Sequence, residues 1–504
     1  MGRRIGFFIA TLLACGRGSL DPSVVWEPRA EAFACGPDGA RAPYDRAVMK
    51  TTHNAYERDE PLFDQLVWHR IRSVELDVHL DKGGERAKDG AWFVYHADVP
   101  TMRSTSCTAL ADCLGQIAAY HDAVPKHEVL TVFLDLKDGF PRGHTPEDLD
   151  DAIVHTLGRD VLVTPRDLRE RCPAATSLRD AVSGACSFPT LAELRGKVML
   201  AVTGGSLCRG GTHVARYGRE ADARVAFLAP DVGDSCPFES YADRPEAILF
   251  NMDFDGRGRA VDVRRAGLVA RVYFGGSTGG LDSEEDFRAA RRSGAQLLAT
   301  DKVNVMADPW ASTISGRGFP FWYPGCNATS AEASALTSMT ARSGDIGGAR
   351  DSFYFAYAED RAATTWSTFA SVPSSHVDEE AKACLEARAS VDADAAHVAL
   401  CRPFDRAPPV MLVRDATGAA TRAIPLDARR IHGLSAETPA FLRLALLPED
   451  GATNVTAEAS ADGSIWEPVG KVRVASELTL RGVAVASHGD DEVRAVFGSL
   501  ARDA

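Results

Sequence analysis

The sequence predicts an α/β protein in two parts, a (β/α)8 TIM barrel followed by an all-β, jelly-roll-like sandwich. Three observations carry this reading. From Tyr44 onward a short apolar run, a polar residue at its end and then a loop or helix recur eight times. Beyond Asp301 helical patterns become scarce, and strand-like runs between turn signals take over. The length of 504 residues, 45% hydrophobic and 25% charged, suits two or three domains.

The N-terminus reads as a targeting segment. Arg3 and Arg4 precede an apolar stretch over 7–14 that is too short to span a bilayer. It ends in Leu12-Leu13-Ala14-Cys15, which resembles a bacterial lipobox whose Cys15 becomes the lipidated first residue; an ordinary secretory signal is the alternative. The expected organisation is a lipoprotein signal peptide over 1–15, a Gly- and Pro-bearing tether over 16–43 and the barrel over 44–305. A linker over 306–343 and the sandwich over 344–504 follow. The location this implies is the cell envelope, at the outer membrane or cell surface, or secretion. Eleven cysteines become ten without Cys15, an even set that in an exported chain implies up to five disulfides. Cys107–Cys113 and Cys172–Cys186 are the local pairs expected. A net charge of −14 with no basic block argues against nucleic acid, and it leaves membrane contact to local apolar groups or a lipid anchor.

The barrel strands are expected over 47–51, 74–78, 92–95, 129–134, 198–202, 247–251, 268–274 and 296–299, with helices over 110–123, 146–157 and 284–292. Asp282-Ser283 caps the last helix and Gly294 stops it. In the second part, 353–357, 409–413, 441–447, 455–460, 478–485 and 493–497 read as strands. Asp462-Gly463 marks a hairpin with Trp466 packed inward. The aromatics at 319–323 read as an interdomain packing strip in preference to a lipid-dipping patch.

Barrel enzymes carry their reactive groups at the C-terminal ends of strands. By that rule His53, Asn54, Glu75, Asp77, His96 and Asp135 converge on one rim. Asn54, Glu75, Asp77 and Asp135 are oxygen donors, a set that favours Ca2+ or Mg2+ over zinc or copper. Two imidazoles flanking such an ion suit phosphodiester cleavage, one taking a proton from the attacking hydroxyl and one protonating the leaving oxygen. Two roles fit Lys137, contact with a substrate phosphate or a salt bridge to a neighbouring carboxylate. His69, His79, His121, His127 and His155 lack such context and read as surface or helix-packing residues.

Thr52-His53-Asn54-Ala55-Tyr56, Arg72-Ser73-Val74-Glu75-Leu76-Asp77-Val78-His79 and Tyr95-His96 resemble phosphatidylinositol-specific phospholipase C catalytic domains, in particular the bacterial calcium-dependent branch. Leu134-Asp135-Leu136-Lys137-Asp138, Glu193-Leu194-Arg195-Gly196-Lys197-Val198-Met199 and Thr300-Asp301 extend the likeness over 44–305. It implies His53 and His96 as the acid/base pair, and Asn54, Glu75, Asp77 and Asp135 as ligands of Ca2+. It further implies Arg271 and Tyr273 as contacts to the inositol headgroup, and a phosphatidylinositol-type lipid as substrate. Two departures stand out. Asp135 replaces the more usual Glu, one methylene shorter. Leu200-Ala201-Val202-Thr203 lacks the lysines that in eukaryotic relatives follow the fifth strand and grip ring phosphates, so unphosphorylated or glycosylated phosphatidylinositol is the expected substrate. The sandwich resembles concanavalin- or laminin-G-like jelly rolls, a fold-level likeness under which a glycan is its expected partner. The rival readings are a glycerophosphodiester phosphodiesterase, which usually carries His-Arg-Gly where this chain has His-Asn-Ala, and a non-catalytic glycan- or lipid-binding surface lipoprotein.

Overall fold

Eight parallel strands close a barrel: β1 (Val48–Thr52), β2 (Ser73–His79), β3 (Leu130–Leu136), β4 (Val198–Thr203), β5 (Phe227–Leu228), β6 (Leu249–Asp253), β7 (Val269–Tyr273) and β8 (Leu297–Thr300). Neighbours pair in that order, and β8 returns to β1 with Thr300 opposite Thr52. Parallel bridges at Leu228–Ala247 and Asp231–Asn251 join the β5 and β6 segments. Strands covered on both faces need continuous apolar runs, and β4 is buried along its whole length. The computed structural model describes residues 7–11, 21–24, 41–87, 91–273, 283–304, 321–322, 337–341, 344–347, 353–373, 380–405, 407–426, 440–489, 491–498 and 500–503. It divides into a unit of Ala30–Ala333 and a unit of Met1–Arg29 with Ser334–Ala504.

The helices start and stop where local chemistry dictates. Pro146–Leu157 opens with Thr145 accepting from the Asp148 amide while Asp148 accepts from the Thr145 amide, a reciprocal cap with Pro at the first helical position. Ser283 Oγ accepts from the Asp286 amide to cap Glu284–Arg292, and Gly294 at φ +94° lets the chain turn away. Leu110–Ala123 buries Leu110, Cys113, Leu114, Ile117 and Tyr120, spaced three and four apart on one face. All three helices have the bounds expected from the sequence.

The strand count of eight holds, but its membership changes. The run at 92–95 is no barrel strand; Phe93–Val94 pairs antiparallel with the end of β2, Val94 opposite Val78. A parallel return requires a crossover, usually a helix. The chain between β2 and Phe93 instead holds the small hairpin Asp81–Lys82 with Glu85–Arg86. The missing barrel strand is β5, whose two residues are too short to leave a periodic signature. Asp135 therefore ends the third strand, and Leu200–Thr203 lies on the fourth. Phe321–Trp322 forms a short antiparallel strand on β1, and the rest of the 319–323 strip lies outside the described residues.

The second unit is a two-sheet sandwich. One sheet runs in the order Asp21–Val24, Phe7–Thr11, Tyr354–Glu359, Leu480–Ala486, Lys382–Arg388, His397–Pro403, Val410–Arg414, Arg422–Pro425. The other runs Thr337–Ala341, Val493–Phe497, Thr364–Ser371, Phe441–Glu449, Ala452–Ser460, Glu467–Val474, with Ala501–Asp503 beside Thr364–Ser371. Leu385, Val398, Val413 and Val483 from the first sheet and Trp366, Leu444, Val455 and Val474 from the second share one buried core. The expected hairpin at Asp462-Gly463 is present, with the Asp462 carboxylate accepting from the Ser464 and Ile465 amides and Gly463 at φ +72°. Trp466 departs from expectation. It precedes the outermost strand of its sheet and is only half-buried, its ring covered by the Arg443 guanidinium at 4.1 Å.

Phe7–Thr11, expected within a signal peptide, pairs here with Tyr354–Glu359, as an apolar run meeting an open sheet edge can do. Cys15 lies outside the described residues. Both expected disulfides are present, together with Cys208–Cys236 and Cys384–Cys401; Cys35 and Cys326 lie outside the described residues. Among the described residues no helix is long and apolar enough to cross a membrane.

Candidate active site

Sheet register builds the acidic centre. Asp77 on β2 stands opposite Asp135 on β3, which stands opposite Thr203 on β4. In-register residues of parallel neighbours point to the same face about 4.8 Å apart. Glu75, two residues before Asp77, shares that face. Oxygens of Glu75, Asp77 and Asp135 lie within 4.8 Å of one another. Asp135 therefore reaches the cluster despite its shorter side chain. Thr203 Oγ1 donates to Asp135 Oδ1 at 2.7 Å and fixes its orientation. Lys137 Nζ lies 3.0 Å from Asp77 Oδ2 and 2.5 Å from Asp135 Oδ2, so of its two expected roles the salt bridge is the one formed. Burial pushes the Asp77 carboxyl up to about 7; Lys137 opposes that rise, while Glu75 and Asp135 add to it. For Asp135 burial acts in the same direction, but Lys137 and Thr203 outweigh it and hold the group below its ordinary range.

The two imidazoles stand beside this centre, each held by a carboxylate. His53 follows β1, and its Nδ1 lies 3.0 Å from Oδ1 of Asp301, which follows the adjacent β8. Its Nε2 is 3.7 Å from Glu75 Oε2. Burial alone would lower the His53 pKa, yet Glu75 and Asp301 together raise it. His96 follows the Phe93–Val94 strand, and its Nδ1 lies 3.0 Å from Glu57 Oε2. The hydrogen bond to Glu57 raises its pKa against the effect of burial. Glu57 ends the 3-10 turn Ala55–Glu57, which the left-handed Asn54 (φ +47°) begins. Asn54 Nδ2 donates to Glu57 Oε2 at 3.4 Å, so its amide is oriented by the carboxylate that also holds His96. Arg58 joins the two halves, with NH1 3.1 Å from Asp301 Oδ1 and NH2 3.6 Å from Glu57 Oε2.

A second buried rung supports Glu75. Arg271 stands opposite Asn251 in the β6–β7 register and donates to Asn251 Oδ1 and Glu75 Oε2, each at 2.6 Å. Asn251 Nδ2 in turn donates to Asp231 Oδ1 at 2.8 Å. The Arg271 side chain is 1% exposed and lies over the Phe133 ring at 4.7 Å. It is thus a buried support of Glu75. Tyr273 stacks on His53 at 5.8 Å and lines a cavity of about 310 Å3 with Ser206, Arg209, Thr212, Asp231 and Asp253. A larger cavity, about 720 Å3 around Arg169, Arg219 and Arg244, contains none of the expected site residues.

Glu57, Arg58 and Asp301 were not assigned roles from the sequence. Asp301 stands in a recognisable Thr-Asp motif, but its pairing with His53 follows only from barrel closure. Of the other histidines, His155 is exposed and His69 and His127 are buried. His79 is buried too and stacks on Tyr95 at 3.9 Å, while His121 Nδ1 meets His127 Nε2 at 3.1 Å.

The donor set fits a hard divalent cation. It is all oxygen, and the Asp77 carboxylate is buried with the uncharged Tyr56 hydroxyl beside it, leaving charge for a cation to answer. Glu75, Asp77 and Asp135 would hold the ion; Asn54, the fourth ligand expected, meets the cluster through its backbone amide, 3.4 Å from Glu75 Oε2.

Residues 88–244 match a family model described as Ca2+-dependent phosphoinositide phospholipase C. That stretch includes His96, Asp135 and Lys137 and begins after Asp77. Among solved structures the chain is similar to the calcium-dependent phosphoinositol-specific phospholipase C of a Gram-negative bacterium, Pseudomonas sp. The identity is 21%, covering 58% of this chain and 100% of that one, with a TM-score of 0.49. It is also similar to the Ca2+-dependent phosphatidylinositol-specific phospholipase C of Streptomyces antibioticus, at 21% identity over 54% of this chain and 98% of that one, TM-score 0.44. A carbohydrate-binding module, CBM66 from Bacillus subtilis, is similar at 14% identity over 33% of this chain and 95% of that one, TM-score 0.21. No curated protein matches the chain.

Proposed function

We propose that this chain is a Ca2+-dependent phospholipase C-type phosphodiesterase acting on phosphatidylinositol or its glycosylated derivatives. The observation that carries the reading is the pairing of two carboxylate-held imidazoles, His53–Asp301 and His96–Glu57, beside the Glu75–Asp77–Asp135 centre. The match of residues 88–244 supports it. With each Nδ1 proton donated to a carboxylate, Nε2 is left as the nitrogen that exchanges protons with substrate. One imidazole takes the proton of the attacking inositol 2-hydroxyl, and the other delivers a proton to the departing glycerol oxygen. Bound Ca2+ supplies charge neutralisation at the phosphate and acidifies the attacking hydroxyl. Tyr273 and the cavity beside it receive the headgroup. Asp231 and Asp253 in that cavity favour a ring without extra phosphates.

The export reading belongs to the same proposal. The protein is lipidated at Cys15 and held at the envelope surface, its disulfides suit that compartment, and its sandwich takes a glycan. Release of inositol phosphate from phosphatidylinositol vesicles, measured with CaCl2 and with EGTA for wild type and His53→Ala, tests the activity. Turnover should need both Ca2+ and His53; turnover indifferent to both would refute it.

A further inference from the structure

We infer that Lys137 is a tethered counter-ion of the acidic centre, occupying it in the metal-free protein and withdrawing when a divalent cation enters. The inference rests on the Ca2+ site proposed above. Three carboxylates gathered within 4.8 Å repel one another and must be neutralised before any metal arrives. Lys137 Nζ answers two of them directly, at 3.0 Å from Asp77 and 2.5 Å from Asp135. Among the described residues it is the cation in contact with both. Arg271 serves the third, Glu75, from inside the barrel. The ammonium is thus bonded to two of the carboxylates that a cation must bind.

Its setting allows withdrawal. Arg271 is 1% exposed and clamped between Glu75 and Asn251, whereas the Lys137 side chain is 34% exposed on a flexible stem. Lys137 follows β3 on the rim, and its amide is pinned to the Val78 carbonyl at 3.0 Å. The backbone can therefore stay while the ammonium turns outward. Lys137 meets Asp77 at Oδ2, while the buried Oδ1 faces no charge of its own, the uncharged Tyr56 hydroxyl being its neighbour. A divalent cation offers the second charge and the higher coordination that one ammonium cannot. Metal entry and Lys137 departure are then one exchange.

Two measurements on the full chain test this. Calorimetric titration with CaCl2 alone compares wild type with Lys137→Met. The variant should bind Ca2+ about tenfold more tightly or better, as expected on removing a competing unit charge at contact distance. It should also melt at a lower temperature in EGTA, with CaCl2 closing the gap. Equal or weaker Ca2+ binding in the variant overturns the inference, and no Ca2+ binding by either protein overturns the Ca2+ site itself. A stationary Lys137 would also weaken Ca2+ binding by repulsion, so the second measurement uses unaltered protein. Modification of Lys137 by an amine-reactive reagent, located by mass spectrometry, should rise severalfold when CaCl2 is added. Unchanged or reduced modification under Ca2+-saturating conditions overturns the withdrawal, whatever the fate of the variant.

Discussion

His53 Nδ1 lies 3.0 Å from Asp301 Oδ1, joining residues that stand 248 positions apart in the chain but at the ends of adjacent strands. The carboxylate fixes the tautomer, so that Nε2 is presented to substrate. Asp301→Asn keeps the shape and misplaces the proton. We expect kcat to fall about 10²-fold or more with KM nearly unchanged. Steady-state kinetics on phosphatidylinositol at saturating Ca2+ measure it; a loss confined to KM would assign Asp301 to binding.

Arg58 contacts both carboxylates that hold the imidazoles. Removing it should loosen His53 and His96 together. Arg58→Met is expected to lower kcat roughly tenfold, since small misplacements of general acids and bases are costly. Combining it with Asp301→Asn should cost less than the two losses multiplied, because both act through His53. A fully multiplicative double variant would rule out that shared route.

Arg271 and Glu75 form a buried ion pair, 1% and 5% exposed. Breaking one partner of such a pair strands a charge, at a cost of about 3–5 kcal/mol. Arg271→Met should therefore lower the barrel's melting temperature markedly in EGTA. Added CaCl2 should recover part of the loss by supplying Glu75 with another cation. Thermal melts with and without CaCl2 decide it; an unchanged melting temperature would mean that the pair adds nothing to stability.

His69 is buried, neither ring nitrogen makes a hydrogen bond, and burial, with Lys50 adding to it, pushes its pKa down to about 3. A lowered folded-state pKa means that the unfolded chain takes up the proton first, below its ordinary value of about 6.5. The stability from neutral His69 is fully present above that value and drains away as pH falls toward 3. Denaturant melts from pH 8 to pH 4 should show this decline, and His69→Phe should flatten it. A variant with the wild-type slope would acquit His69.

The parts legible in the sequence were those written locally. Thr145, Ser283 and Gly294 mark helix ends within a few residues of themselves, and those helices have the expected bounds. Strand-end polar residues located His53, Glu75, Asp77 and Asp135 because the barrel gathers its strand ends on one rim. Phe227–Leu228 was illegible because two residues carry no period, and 92–95 misled because an apolar run does not declare its direction. Glu57, Arg58 and Asp301 acquire meaning only through contacts made after closure, and so does the pairing of Arg271 with Glu75, 196 positions away.

Asp77, Asp135 and Thr203 occupy one rung of the sheet. Two of the three clustered carboxylates are therefore spaced by backbone pairing, and loop conformation has little part in their separation. Loops around the rim could be exchanged, lengthened or retuned for another headgroup while the cation's seat kept its dimensions. Slipping β3 by a single residue against its neighbours would turn Asp135 to the opposite face and abolish the seat at once. The same scaffold is thus tolerant where substrates are chosen and unforgiving where charge is held.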